Sequence, residues 1–186
     1  MLSETEGKTA ITLARCALEE IIAGRNCRTP DLTPVFDEKR GVFVTLKKNG
    51  DLRGCIGFVQ PILPLKAAIP QATLAAATED PRFHPVQTEE LSAISLEVTV
   101  LTVSEPLAGA PEERANHITV GRHGLIIQGM GRSGLLLPQV APEWGWNETE
   151  FLDQTCRKAG LPAGCWKRPE IQVLTFEGQV FSEVSE

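Results

Sequence analysis

The sequence predicts an α+β fold, with a mostly antiparallel sheet and flanking helices, and three observations predict it. Asn49-Gly50 separates two strand-like runs, Val42–Lys47 and Leu52–Phe58, and is the pair best suited to a type I′ hairpin turn. Residues 8–24 and 62–78 repeat apolar side chains at helical spacing. Residues 93–103 alternate Ile94, Leu96, Val98 and Val100 with Ser95, Glu97 and Thr99, the pattern of a half-buried strand. Hairpins interspersed with helices fit α+β better than a regular parallel α/β repeat.

Taken in order, the first helix carries Ile11, Ala14, Leu18, Ile21 and Ile22 on one stripe and closes at Gly24. Cys16 projects away from that stripe and is expected to be partly exposed. Residues 25–40, with Pro30 and Pro34, read as a covering loop. An unbroken hairpin register would set Leu46 opposite Arg53, Val44 opposite Cys55 and Val42 opposite Gly57. Arg53 and Cys55 would then share one face, about 7 Å apart. Gly54 and Gly57 leave the Cys55 backbone open to close approach by another chain or a ligand. The second helix carries Ile62, Leu65, Ile69, Ala72 and Ala76, with Pro70 inside the stripe expected to kink or split it. A proline-braced loop, Glu79-Asp80-Pro81-Arg82-Phe83-His84-Pro85, follows. Residues 104–116 read as a surface loop, and Leu125–Gln128 and Leu135–Leu137 as strands joined by a glycine-rich turn. Asn147 with Glu150 forms a capping-box pattern for a helix that ends at Gly160-Leu161-Pro162. Ile171–Phe176 is a late strand.

A chain of 186 residues is one domain's worth, and its 42% hydrophobic and 23% charged residues are ordinary globular values. The net charge of -6, with 5% aromatics and no Tyr, argues against a nucleic-acid partner. An acidic N-terminus without a basic-then-apolar order, and no long apolar run, predict a cytoplasmic chain with no membrane partner. Five cysteines without a C-x-x-C pair argue against a metal knuckle, an iron–sulfur motif and a disulfide scaffold, so free thiols are expected, with no metal and no cofactor.

Gly129-x-Gly131-x-x-Gly134 matches a dinucleotide fingerprint by letter, but Leu135-Leu136-Leu137-Pro138 after it is a strand where that fingerprint needs a helix. A hairpin turn is the better reading. Cys55 has two readings: a small buried apolar side chain facing Val44, or a thiolate stabilised by Arg53 on the same face. Asp80 and Arg82 either clamp their loop or, with His84, line a binding site. Glu97 needs a cationic partner if both sheet faces are covered, and Arg53 or Arg82 could supply it. His123 and Gln139 have low standing when taken alone.

Several strings together resemble the AmmeMemoRadiSam system protein A family, the AMMECR-type proteins. They are Leu52-Arg53-Gly54-Cys55-Ile56-Gly57, Glu79-Asp80-Pro81-Arg82-Phe83, Glu97 in Leu96–Leu101, Val120-Gly121-Arg122-His123-Gly124-Leu125, Leu136-Leu137-Pro138-Gln139-Val140, and Lys158–Pro162 before Trp166. The resemblance implies one AMMECR-type domain over residues 1–186, of two lobes with a cleft between them; a smaller lobe is expected around 60–95. With the reading of the residues it makes Cys55, His123 and Arg53 the candidate catalytic residues, and Asp80, Arg82, Glu97 and Gln139, with His84 from the loop itself, candidate substrate-binding residues; His84-Pro85 stands where many relatives have Pro-Pro. In the leading reading Cys55 is the thiol centre for small-molecule or peptide group transfer, Arg53 holds the anion, and His123 or His84 is the base. The alternative is a non-catalytic component that partners a Memo-type protein and a radical SAM protein, or presents a substrate to them.

Overall fold

The computed structural model describes residues 1–183 and divides into two compact units. Met1–Leu101 with the chain from Gln179 onward forms the first unit, and Thr102–Gly178 forms the second. Residues 60–95 lie within the first unit.

In the first unit, α1 (Glu4–Ala23) begins earlier than its apolar stripe. The Ser3 hydroxyl accepts from the Glu6 N–H while the Glu6 carboxylate accepts from the Ser3 N–H, a capping box that satisfies two orphan donors. Gly24, at φ 63°, closes the helix as expected. Strands β1 (Val42–Lys48) and β2 (Asp51–Phe58) form the predicted hairpin, with Asn49 and Gly50 at φ 53° and 91°. Helix α2 (Leu65–Thr78) starts after Pro64, because residues preceding a proline are pushed away from helical backbone. Ile62 is therefore exposed and off the stripe, whereas the helix runs on through Pro70. Strand β3 (Ile94–Leu101) pairs antiparallel with the other edge of β1. Val42, Val44 and Leu46 of β1 and Leu96, Val98 and Val100 of β3 are buried in one core with Ile11, Ala14 and Leu18 of α1 and Leu65, Ile69 and Ala72 of α2. Each large aliphatic side chain there contributes roughly 1.5–3 kcal/mol by leaving water.

The hairpin register departs from the expected one. Lys48 faces Asp51 and Lys47 faces Leu52, as an unbroken turn requires, but an irregularity follows between Leu46 and Lys47. Beyond it Leu46 faces Gly54, Thr45 faces Cys55 and Val44 faces Ile56. Arg53 is the extra residue of a bulge. The unbroken register would have set Arg53 opposite fully buried Leu46. The bulge instead places Gly54 there, where α2 lies so close that a Cβ would come within 2.2 Å of the Ala76 carbonyl oxygen. The open backbone at Gly54 thus admits the chain's own helix.

In the second unit, β4 (Glu105–Pro106), β5 (His123–Gly129) and β6 (Arg132–Leu136) precede α3 (Val140–Trp144), α4 (Glu148–Lys158) and β7 (Gln172–Ser182). The antiparallel order is β4-β7-β5-β6. Strand β7 outruns its expected end, and its residues from Gln179 on count with the first unit. The glycine-rich segment is a tight turn at Met130-Gly131, φ 53° and 73°, so no helix N-terminus follows to hold a pyrophosphate. Asn147 and Glu150 form the expected capping box. Leu125, Ile127, Phe151, Leu152, Trp166 and Val173 fill this unit's core.

The cysteines overturn the expectation of free thiols. Cys16 is bonded to Cys27 and Cys156 to Cys165, with Cα atoms 5.3 and 6.1 Å apart. Each pair straddles a helix end where the chain reverses, at Gly24 and at Gly160, and this brings residues 11 and 9 positions apart within bridging distance. Cys16 is buried, not partly exposed. Cys55 is the free cysteine. No helix among the described residues is long and apolar enough to cross a membrane.

Thiol titration of the unfolded, unreduced chain should therefore count one reactive thiol, rising to five after reduction. Gly54→Ala should cost about 1–3 kcal/mol in urea unfolding, because its methyl group meets backbone rather than a yielding side chain.

Candidate functional site

Asp80 follows α2 and is the most buried charged group of the site, its side chain 3% exposed. Its Oδ1 accepts from the Arg82 backbone N–H at 3.1 Å and from Arg82 Nε at 2.9 Å. Its Oδ2 accepts from Arg82 Nη2 at 2.7 Å and from the Cys55 N–H at 2.9 Å. The Arg82 hydrogen bonds, reinforced by the Cys55 N–H, hold the carboxyl well below the usual carboxylate range against the opposing pull of burial. Asp80 raises the Arg82 guanidinium in return, chiefly through their hydrogen bonds. Of the two sequence readings, the loop clamp is thus realised. It also fastens the loop to β2 at the cysteine itself.

Arg53 does not serve Glu97. Its Nε and Nη2 donate to the two oxygens of Glu90 at 3.0 and 2.9 Å, and Lys48 Nζ joins Glu90 at 3.0 Å. The Arg53 hydrogen bonds first, then the Gln87 backbone N–H and Lys48, lower the Glu90 carboxyl to about 2 against the pull of burial. Glu90 escaped sequence reasoning. Its signal was its place three residues after Gln87 in a capping pattern for the short 3₁₀ turn 88–93. Phe83 lies between two cations, its ring centre 5.9 Å from the Arg53 guanidinium carbon and 5.4 Å from that of Arg82. Arg53, Pro81, Arg82, Phe83 and His84 line a pocket of ≈ 470 Å³.

Because of the bulge, Cys55 shares its sheet face with Thr45 and Glu97, opposite the face of Val44 and Leu46. The Thr45 hydroxyl donates to Cys55 Sγ at 3.2 Å. Glu97, directly across β1 from Thr45, pairs with Lys47 at 3.0 Å and accepts from the Ser182 hydroxyl at 3.3 Å. The expected partner type was correct and the residue was not. A cross-strand neighbour reaches Glu97 without leaving the sheet. Cys55 is half-buried, so the reading of a side chain sealed against Val44 is set aside. Thr45 was legible in principle, since Val42, Val44 and Leu46 claim the other face of its strand.

His84 is exposed in the Asp80 loop. His123 opens β5 in the second unit, where Nδ1 accepts from the Thr119 N–H at 3.1 Å and Nε2 stands 3.8 Å from Glu177. Gln139 is exposed at the N-terminal end of α3, and its side chain makes no capping bond there. Among the described residues no group of three or more His, Cys, Asp or Glu is gathered to hold a metal.

Both carboxyls titrate below their unfolded values, so their stabilising effect is complete above those values and fades as pH falls through the folded ones. Unfolding free energy should therefore decline from about pH 4 downward. Asp80→Asn should cost about 1–3 kcal/mol at pH 7 by weakening acceptance from Cys55 and Arg82, a difference that narrows on acidification. Urea melts of parent, Asp80→Asn and Glu90→Gln chains between pH 2 and 7 check both statements.

The AMMECR1 family model matches residues 11–181. A protein of Methanothermobacter thermautotrophicus is 52% identical over 185 residues, covering 98% of this chain and 96% of its own length. Protein PF1979 of Pyrococcus furiosus is 50% identical over 184 residues, covering 95% and 88%. The crystal structure of uncharacterized protein PH0010 from Pyrococcus horikoshii superposes with a TM-score of 0.79 at 46% identity, covering 98% of this chain and 93% of that one. The family model covers most of the chain, relatives about half identical in sequence match nearly its whole length, and the α+β architecture is shared with the Pyrococcus horikoshii structure: the chain belongs to the AMMECR1 family.

Proposed function

We propose that Cys55 is the centre of a group-transfer site for small molecules or peptides. The observation that carries this reading is the hydrogen bond from the Thr45 hydroxyl to Cys55 Sγ, 3.2 Å long, on the one cysteine not spent in a disulfide. That hydroxyl orients the sulfur on a half-buried strand face, where it is open to a small reactant. Asp80, by fixing the Cys55 N–H, holds the backbone that carries the thiol. In the transfer, Sγ attacks the carbonyl carbon of an acyl donor, a thioester bond forms, and the donor's bond to its leaving group breaks. The thiol proton departs to the leaving group through His84, the imidazole of the same unit. An amine or water then takes the acyl group and returns the thiol. Thr45 is a positioning partner in this scheme.

A second reading is a non-catalytic role, in which the chain presents or recognises a substrate for a Memo-type protein and a radical SAM protein. One observation favours it: the hydrogen-bond partner of Cys55 Sγ is a hydroxyl, not an imidazole.

Acetyl-N-acetylcysteamine, a neutral acyl thioester, separates the readings. Under group transfer, intact-mass spectrometry finds one acetyl group on the parent chain and none on Cys55→Ser, and Thr45→Val slows loading by about tenfold, the worth of one hydrogen bond. Equal labelling of parent and Cys55→Ser, or none on either, would leave the presenting role.

A further inference from the structure

We propose that the pocket lined by Arg53, Pro81, Arg82, Phe83 and His84 binds the oxyanion of a small ligand, a phosphate or a carboxylate attached to a flat or apolar body. This names a substrate class for the site above and rests on that reading only for the claim that what binds there is also what reacts.

The argument starts from how the two guanidiniums are used. Arg53 spends its Nε and Nη2 edge on Glu90, and Arg82 spends the same edge on Asp80. A guanidinium has five N–H donors in a rigid fork, and two well-made bonds to a carboxylate leave three. Among the described residues nothing accepts from Nη1 of either arginine. Both side chains are therefore locked in place by a buried or largely buried carboxylate, with donors still unspent, and both residues line the pocket. Donors held this way bind an anion without the entropy cost of fixing a long side chain at the moment of binding.

Charge points the same way. The lining holds two guanidiniums and no carboxylate, within a chain whose overall charge is -6. His84 adds an exposed N–H donor to the lining. Arg82 is half-exposed, at 53%, whereas Arg53 is 14% exposed, so Arg82 is the cation a ligand meets first. Phe83 supplies the apolar surface, and its ring is already polarised by the two cations beside it. Two oxygens on one centre match the guanidinium fork, which is why phosphate and carboxylate share this chemistry.

Phenyl phosphate, benzoate and neutral benzyl alcohol test the proposal, titrated into the full chain by calorimetry and by NMR of the arginine Nε–H and Phe83 ring signals. Each is run on the parent and on Cys55→Ser, so that binding is read without the thiol. Saturable binding of an anion, at least about tenfold tighter than the alcohol and moving the signals of Arg53, Arg82 and Phe83, supports it; the tighter of the two anions identifies the head group. His84→Ala, an exposed change that leaves both clamps intact, should weaken the anion several-fold by removing an N–H donor from the lining. Arg82→Gln should weaken it by about tenfold, one charged hydrogen-bond pair. Equal binding of alcohol and anion, or signal changes confined to residues outside 53 and 81–84, overturns the proposal. Anion binding that survives in Cys55→Ser while acyl loading fails in the parent sinks the thiol reading and keeps this one. Acyl loading without anion binding does the reverse.

Discussion

The first unit's chemistry hangs on one buried carboxylate. Asp80 accepts four hydrogen bonds, three from Arg82 and one from the backbone of Cys55, and so ties the loop after α2 to the middle of β2. A carboxylate this well buried is tolerated only when its lone pairs are met by donors, and here they are met by a cation and a strand N–H. The pairing decides three things at once: where the guanidinium of Arg82 stands, where Phe83 stacks, and how firmly the thiol-bearing backbone is held.

The bulge at Arg53 matters almost as much. By slipping the hairpin one residue it hands the core side of β2 to Gly54, which lets α2 approach, and sends Cys55 to the face of Thr45 and Glu97. A cysteine facing Val44 would have been an inert packing residue. Facing Thr45 it gains a hydroxyl donor and partial exposure. Burying a guanidinium opposite Leu46 would cost far more than one irregular pairing, so the chain takes the bulge.

Two disulfides and one free thiol divide the cysteines by role. The bridged pairs each close a short loop beside a helix end, whereas Cys55 lies on a strand whose neighbours are glycines and a threonine. The cysteine kept out of a bridge is also the one whose backbone N–H the Asp80 clamp holds.

Much of the fold was legible in the chain itself because its causes are local. Asn49-Gly50 dictates a left-handed turn, Asn147 and Glu150 cap a helix, Gly24 ends one, and the 94–100 alternation makes a strand with one buried face. Leu135–Pro138 likewise excluded a dinucleotide loop without coordinates. The motif strings marked Arg53, Cys55, Asp80, Arg82 and Glu97 as worth attention, but not their partners. Which cation meets which carboxylate depends on register and on segments many positions apart: Arg53 with Glu90, Glu97 with Lys47, the Asp80 carboxylate with the Cys55 amide. Those choices, with the bulge and the cysteine pairing, were made by tertiary structure, because burying a charge or admitting a helix against a strand is decided by what already fills the space around it.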